Sequence, residues 1–231
     1  MKTKVFIICR DRLEPLQQLL EWVSDQDVYL VDNASTYGPM KKFLKEMHDS
    51  GPHRVYYANH NYGHTSPWKC KLVPRNERYV VTDPDVVPDE NCPRDFLKTM
   101  HEILDAAPDL QKVGFGLRID DLPDHYIGKE SVIKHENGFW GCRRDVLGIE
   151  GHEVPIDTTF ALHREGVRLP EYCSPSTDIW PALRLGFPFV ARHLPWYNDS
   201  ANPSQEDMYY KNHANRRITN WLADEVSDSH K

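Results

Sequence analysis

The sequence predicts an α/β protein with a Rossmann-like, mainly parallel central sheet flanked by helices. Three observations carry that reading. Short β-branched apolar runs alternate with segments of helical period through the first half of the chain. Several of these runs end abruptly in acidic residues. One of them, Tyr79-Val80-Val81-Thr82, delivers two carboxylates spaced i, i+2, Asp83 and Asp85, before Pro84 and Pro88 break the pattern.

Each element can be justified in turn. Lys4 to Cys9 is an apolar first strand, closed by the polar turn Arg10-Asp11-Arg12. Leu13, Leu16, Leu19, Leu20 and Val23 recur at helical spacing, with Pro15 tolerated in the first turn. Residues 27–31 form a second strand that ends in Asp32-Asn33. Met40, Phe43, Leu44 and Met47 mark one face of a helix over 37–48. A third strand spans 54–58, a polar loop 59–66, and a short helix 67–72. The fourth strand, 78–82, is followed by a helix over 95–106 and a strand over 113–117. From about Asp120 the pattern becomes irregular and rich in His, Pro, Asp and aromatic residues. The segment after Pro203 reads as charged and partly helical, with Tyr209, Tyr210 and Trp221 as anchors.

Bulk properties narrow the function classes. A chain of 231 residues with 39% hydrophobic and 27% charged residues suits a globular domain. With no linker or repeat to divide it, the expectation is one domain over 1–231. The net charge of −7 argues against a nucleic-acid partner, because phosphate neutralisation needs clustered Lys and Arg. The longest apolar run, near Val5 to Cys9, is far below the ~20 residues that span a bilayer. No transmembrane segment is expected, and the location expected is cytoplasmic, in solution or peripheral to a membrane. Five scattered cysteines without a Cys-x-x-Cys give neither a disulfide framework nor a zinc ribbon.

The chemistry lies at the strand ends. In open α/β sheets, ligands bind beyond the carboxyl ends of the strands. Carboxylate oxygens are preferred ligands of Mg²⁺ and Mn²⁺, so Asp83 and Asp85 could hold a cation against a diphosphate. The competing reading is an acidic turn in which Asp83 bonds its own backbone before Pro84. Asp32, at another tip, could accept a bond from a base N–H or from ribose hydroxyls; with Asn33 it could equally form a turn into a helix cap. Three acid-bearing tips on one rim would be explained by a nucleotide lying across them.

The ordered set Ile7-Ile8-Cys9-Arg10-Asp11-Arg12, Tyr29-Leu30-Val31-Asp32-Asn33-Ala34-Ser35-Thr36, Asn59-His60-Asn61-Tyr62-Gly63-His64 and Thr82-Asp83-Pro84-Asp85-Val86-Val87-Pro88 resembles glycosyltransferases of the GT-A fold, especially the family-2-like group. The segments 116–123, 156–162 and 192–197 resemble a small, single-domain subset of them. The resemblance implies a nucleotide-diphosphate sugar donor, most often a UDP-sugar, a glycan or other hydroxyl acceptor, and a divalent metal. It implies a nucleotide-sugar half over 1–118 and an acceptor half over 119–231. By the same resemblance, Cys9, Arg10 and Arg12 border the base and ribose, Asp32 and Asn33 contact the nucleoside, and Asn61 and Gly63 pack near it. Asp83 contacts ribose or metal, Asp85 binds metal directly, and His193 matches a late histidine that ligates the metal. A histidine nitrogen in the set tilts the preference from Mg²⁺ toward Mn²⁺.

An inverting transfer needs a carboxylate to accept the acceptor's proton. Asp157, in Pro155-Ile156-Asp157-Thr158-Thr159, is the candidate. Its apolar neighbours predict a buried carboxyl with a raised pKa. Asp120 and Asp121 are the runners-up, and a plain turn acid is the structural alternative. Arg118 could meet phosphate or form a structural ion pair. Of the aromatics Trp140, Trp180, Trp196 and Tyr197, the pair beside His193 is the best placed to stack on a sugar.

Three other readings stand beside this one. A nucleotidyltransferase shares the acidic tips but normally carries a glycine-rich loop after strand one, which Arg10-Asp11-Arg12 lacks. A zinc hydrolase could use His60 and His64, but no His-Glu-x-x-His is present. A non-catalytic nucleotide-sugar-binding module would keep the rim without turnover.

Overall fold

The structure is a computed structural model and describes residues 2–169 and 173–214. Among the described residues, nine strands form one sheet: β1 (Lys4–Cys9), β2 (Asp27–Asp32), β3 (Arg54–Tyr57), β4 (Tyr79–Thr82), β5 (Val86–Pro88), β6 (Lys112–Leu117), β7 (Gly151–Glu153), β8 (Ala161–His163) and β9 (Ala182–His193). Their order is β3-β2-β1-β4-β8-β6-β9-β5, with β7 also pairing β9. β1 to β4 pair in parallel, and β6 pairs β9 in parallel. β8 lies antiparallel between β4 and β6, and β5 and β7 run antiparallel to β9. The parallel strands β1, β2, β3, β4, β6 and β9 therefore point the same way, and their carboxyl ends share one rim. The fold class expected from the sequence is the one observed.

Strand alternation sorts the apolar side chains onto two faces. Val5, Ile7 and Cys9 face the larger core, built with α1 (Leu13–Val23), α2 (Gly38–Ser50) and α4 (Phe96–Ala106). Phe6 and Ile8 face the other side, where they meet Trp68 of α3 (Ser66–Lys69), Tyr79, Val81 and Ile179. α1 buries Leu16, Leu19, Leu20 and Val23, the residues whose spacing predicts that helix.

The irregular half supplies what the parallel strands lack. β9 and β7 extend the sheet beyond β6, and α5 (Lys129–Glu136) reaches β9 through the Glu136–Arg184 pair. Opposite Phe115 and Gly116, the pairing on β9 jumps from Leu185 to Val190, so residues 186–189 bulge out of the β6 pairing; Phe187 is exposed while Phe189 returns to the core. The short α6 (Pro175–Asp178) follows the undescribed residues 170–172. α7 (Gln205–His213) returns across the chain to the start of α1. Its Glu206 Oε2 accepts the backbone N–H groups of Leu13 and Glu14 at 2.8 and 3.2 Å, occupying donors that a helix N-terminus leaves open. Tyr209 packs on Tyr37, and Tyr210 lies under the Arg12 guanidinium. Trp221 lies outside the described residues.

Candidate functional site

The rim is assembled from the ends of β2, β1 and β4. Cys9 is opposite Asp32 in register, and Ile7 is opposite Thr82. Asp32 and the residue after Thr82, Asp83, therefore stand at nearly the same level, two strand spacings or roughly 10 Å apart. The local chemistry of the first two tips is mostly self-contained. Asp32 is buried and accepts Ser35 N–H at 3.0 Å; burial raises its pKa, opposed by the Ser35 bonds. Asp11, at φ 52°, caps the approach to α2 by accepting Thr36 and Tyr37 N–H at 2.6 and 2.8 Å.

The remaining nucleotide-side candidates form a linked scaffold. Arg10 donates to the carbonyls of Asn33 and Ala34 at 2.7 and 2.9 Å. Asn33 donates to Gly63 O and accepts Tyr62 N–H, which ties the second tip to the 59–64 loop. Asn61 Oδ1 accepts Gly63 N–H at 2.8 Å, in a turn that places Gly63 at φ 64°, a conformation glycine adopts without strain. Cys9 is fully buried in the core, its thiol pushed up by desolvation. Arg12 is engaged by Asp207 of α7. The structure thus gives these residues roles in shaping the rim. Asp32 and Asn33 are both almost wholly buried, and Cys9 presents no surface at all.

The acidic tip of β4 is different, because its charges go unbalanced. Asp83 Oδ2 accepts the Thr158 hydroxyl at 2.6 Å, and Asp83 N–H donates to Thr158 O at 2.8 Å. Desolvation pushes the Asp83 carboxyl well above the usual carboxylate range, repulsion from Asp85 and Asp157 adds to this, and the Thr158 bond opposes it. Three carboxylates thus crowd one corner; Lys112 and Arg184 act on Asp157 from beneath the turn, whereas the charges acting on Asp83 are the carboxylates of Asp85 and Asp157.

His193 completes that corner from the far end of the chain. Val86 is opposite His193 in the β5–β9 pairing, and Leu194 N–H donates to Asp85 O at 2.9 Å. His193 Nε2 lies 3.7 Å from Asp85 Oδ1, too far for a hydrogen bond but close enough for both to reach one cation. Burial lowers the His193 pKa, with Asp85 opposing, so the ring is held neutral, the form in which imidazole donates to metals. Its Nδ1 is buried without a partner. Among the described residues no three His, Cys, Asp or Glu side chains are already gathered as a complete cation site. The donor set fits a cation whose remaining ligands come from a bound diphosphate or water. Asp85 and His193 are the two side chains that would meet such a cation, with Asp83 adjoining Asp85.

Three expectations need correction. Asp157 is exposed, not buried, so burial cannot tune its carboxyl as the apolar neighbours suggested. Those neighbours point elsewhere: Ile156 is wholly buried, whereas Asp157 is exposed. Trp196 is 1% exposed and belongs to the core, which removes it as a sugar platform. Its neighbour Tyr197 donates its hydroxyl to Asp121 at 2.6 Å. Arg118 adopts the structural alternative. It bonds Asp120 at 2.8 Å and the wholly buried Asp89 at 3.0 Å, and Arg192 joins the network through Asp89 and Asp121. Trp140 lies against Gly116, where its ring would meet an added Cβ, and Trp180 is exposed.

Sequence reasoning missed Thr158, Asp89, and a buried pair behind the Asp157 turn, Arg184 and Glu136, joined at 2.8 Å. Asp89 directly follows the acidic motif, and its order Val-Val-Pro-Asp was the available signal. Nothing local marks Glu136 or Arg184, whose helix and strand meet only in the folded chain.

No protein-family model matches the chain, and no curated protein matches it. Solved structures do. The mannosyltransferase PcManGT from Pyrobaculum calidifontis, in complex with GDP-Man and Mn²⁺, aligns at 15% identity and a TM-score of 0.53 over 91% of this chain and 59% of its own. Glucosyl-3-phosphoglycerate synthase from Mycobacterium tuberculosis, in complex with phosphoglyceric acid, aligns at 13% identity and 0.47 over 77% and 62%. HddC from Yersinia pseudotuberculosis aligns at 14% and 0.46 over 90% and 96%. The first of these likenesses bears out the fold, and the chain spans about six-tenths of that protein's length. Among the described residues, no helix is long and apolar enough to cross a membrane.

Proposed function

We propose that this chain is a cation-assisted glycosyltransferase that takes a sugar from a nucleoside diphosphate, a UDP-sugar or a GDP-sugar, and passes it to a hydroxyl acceptor, a glycan among them. The observation that carries the reading is the meeting of Asp85 and His193 at 3.7 Å beside the uncompensated Asp83. That meeting lies on the rim where nucleotides bind in this class of fold. The mannosyltransferase with the same fold is described with GDP-Man and Mn²⁺, which supports both donor class and metal. A cation between Asp85 and His193 would be Mn²⁺ or Mg²⁺, and it would offset charge growing on the departing diphosphate.

The chain's own residues supply the rest. Asn33, Asn61 and Gly63 hold the loop that would face the base, and Asp32 sets the turn beneath it. Arg10 acts behind the donor surface through the Asn33 and Ala34 carbonyls, and Arg12 through Asp207. Asp157, exposed and near Asp83, would take the acceptor's proton as the new glycosidic bond forms and the bond to phosphate breaks.

A thermal-shift panel tests this. UDP-glucose and GDP-mannose are titrated with and without Mn²⁺. Ligand at about 100 times its Kd adds about 2.7 kcal/mol, or roughly 5–10 °C for a chain of this size. A shift that requires Mn²⁺ supports the proposal. If neither nucleotide sugar moves the transition under any metal condition, the reading is wrong.

A further inference from the structure

β9 reaches the Asp85–His193 corner in two pieces. Ala182 to Leu185 pair with Lys112 to Phe115, and after the 186–189 bulge Val190 and Ala191 pair with Gly116 and Leu117. A bulge breaks the ladder, so the register beyond it must be fixed separately; a slip of one residue there turns each later side chain to the other face. The ladder beyond the bulge is short. It has those two pairs with β6 and three with β5, one of them at Pro88, which has no N–H to donate. Three more bonds cross it: Asp89 N–H to Val190 O, Arg118 N–H to Ala191 O and Leu194 N–H to Asp85 O, each at 2.9 Å. Arg192 and His193 are consecutive, so strand alternation sends them to opposite faces. His193 goes to Asp85, and Arg192 goes to a pair of carboxylates.

Those two acids hold Arg192 by charge and by shape. Its Nη2 lies 2.9 Å from Asp89 Oδ2, and its Nε and Nη2 meet Asp121 Oδ2 at 3.0 and 2.7 Å. Both acids are themselves fixed. Asp89 is wholly buried, and its Oδ1 accepts the backbone and side-chain N–H groups of Asn91 at 2.9 Å each. Asp121 Oδ1 accepts the Tyr197 hydroxyl at 2.6 Å. A planar guanidinium bonded to fixed carboxylates is directional as well as strong. In a strand slipped by one residue, Arg192 would face away from both. We propose that Arg192 is a positioning residue for the Asp85–His193 corner: clamped by Asp89 and Asp121, it selects the register of β9 beyond the bulge and thereby the face on which His193 stands. The inference deepens the function proposed above and rests on its cation site, but the register can be scored without metal or turnover.

Amide hydrogen exchange on the full chain reads the register, at the Asp89, Arg118 and Leu194 N–H groups that bond across it. Arg192→Met keeps the stem and removes both charged contacts. Protection of the three amides should fall on the order of tenfold, while the β1 and β2 amides do not change. Asp89→Asn keeps the shape and takes away the charge, so it should release the same amides; it decides the matter if Arg192→Met does not fold. Wild-type protection of the three amides in either folded variant overturns the clamp. Mn²⁺-dependent binding of UDP and GDP, by calorimetry, then tests the link to His193. Arg192→Met should weaken it about tenfold or more, as the loss of a group that orients a metal ligand does. In a His193→Ala background the same substitution should cost nothing further, because the ligand it positions is gone. Unchanged affinity in Arg192→Met, or losses that multiply, would overturn the positioning role. If the variants release the amides but the wild type binds neither nucleotide with Mn²⁺, the register clamp stands and the cation-site reading fails.

Discussion

The buried Glu136–Arg184 pair offers the sharpest quantitative test of how the Asp157 turn is supported. Both side chains are about 95% buried, their atoms are 2.8 Å apart, and the Arg184 guanidinium lies 4.0 Å above the Phe139 ring. Glu136→Gln keeps the shape and removes the charge that Arg184 faces. Arg184 retains its bond to Pro155 O, but its charge is then left without a counterion in a dry site. Removing one partner of such a pair costs about 3–5 kcal/mol. At 2–4 °C per kcal/mol for a chain of this length, Tm should fall by roughly 6–20 °C. Arg184→Met alone should cost a similar amount, because it strands Glu136. The double variant Glu136→Leu/Arg184→Met should recover most of the loss, since a well-packed apolar pair can replace a buried ion pair. Equilibrium denaturation of the wild type, Glu136→Leu, Arg184→Met and the double variant gives the coupling energy directly. A Glu136→Gln loss below about 1 kcal/mol, or additive single and double effects, would refute the idea that this pair carries its neighbourhood electrostatically.

The other predictions concern the rim. Asp85→Ala should abolish the Mn²⁺-dependent part of UDP or GDP binding by calorimetry while leaving the circular-dichroism spectrum unchanged; unaltered affinity would remove Asp85 from any cation site. His193→Ala should weaken Mn²⁺ binding about tenfold or more, the loss of one ligand, and an identical metal titration would reassign His193 to packing beside Trp196. Asp157→Asn should lower turnover by ~10²-fold or more with donor affinity intact; wild-type turnover would take Asp157 out of the mechanism. Asp207→Ala should release Arg12 and speed exchange of the α7 amides, with little effect on the β4 tip, and unchanged α7 protection would show that Glu206 and Tyr209 anchor the helix without that pair.

Elements with a clear period are legible in the residue pattern alone. β1, β2, β4 and β6, with α1, α2 and α4, fall within a residue or two of the expected limits, because one buried face repeats at a spacing that local geometry dictates. β5, β7 and β8, three residues each, are too short to show a period. β9 hides a 12-residue strand behind Gly186-Phe187-Pro188, where proline and the bulge break the run that would otherwise mark it. The same loss explains why the site is only half legible. Asp83 and Asp85 announce themselves at the end of β4, whereas His193 is reached only through resemblance. Thr158, Lys112, Arg184 and Glu136 carry no local signal.

Alone, the chain's residue order determined that the strands of the first half would end in acids at a common rim, because alternation and helix period act between near neighbours. The folded chain decided which charges remain unsatisfied there. Asp32 and Asp11 spend their oxygens on backbone N–H groups, and Arg118 closes on Asp89. Asp83, Asp85 and Asp157 are left together, with His193 brought to them by an antiparallel pairing between distant segments. Electrostatic compensation depends on distances across the fold, and sequence spacing does not encode those distances.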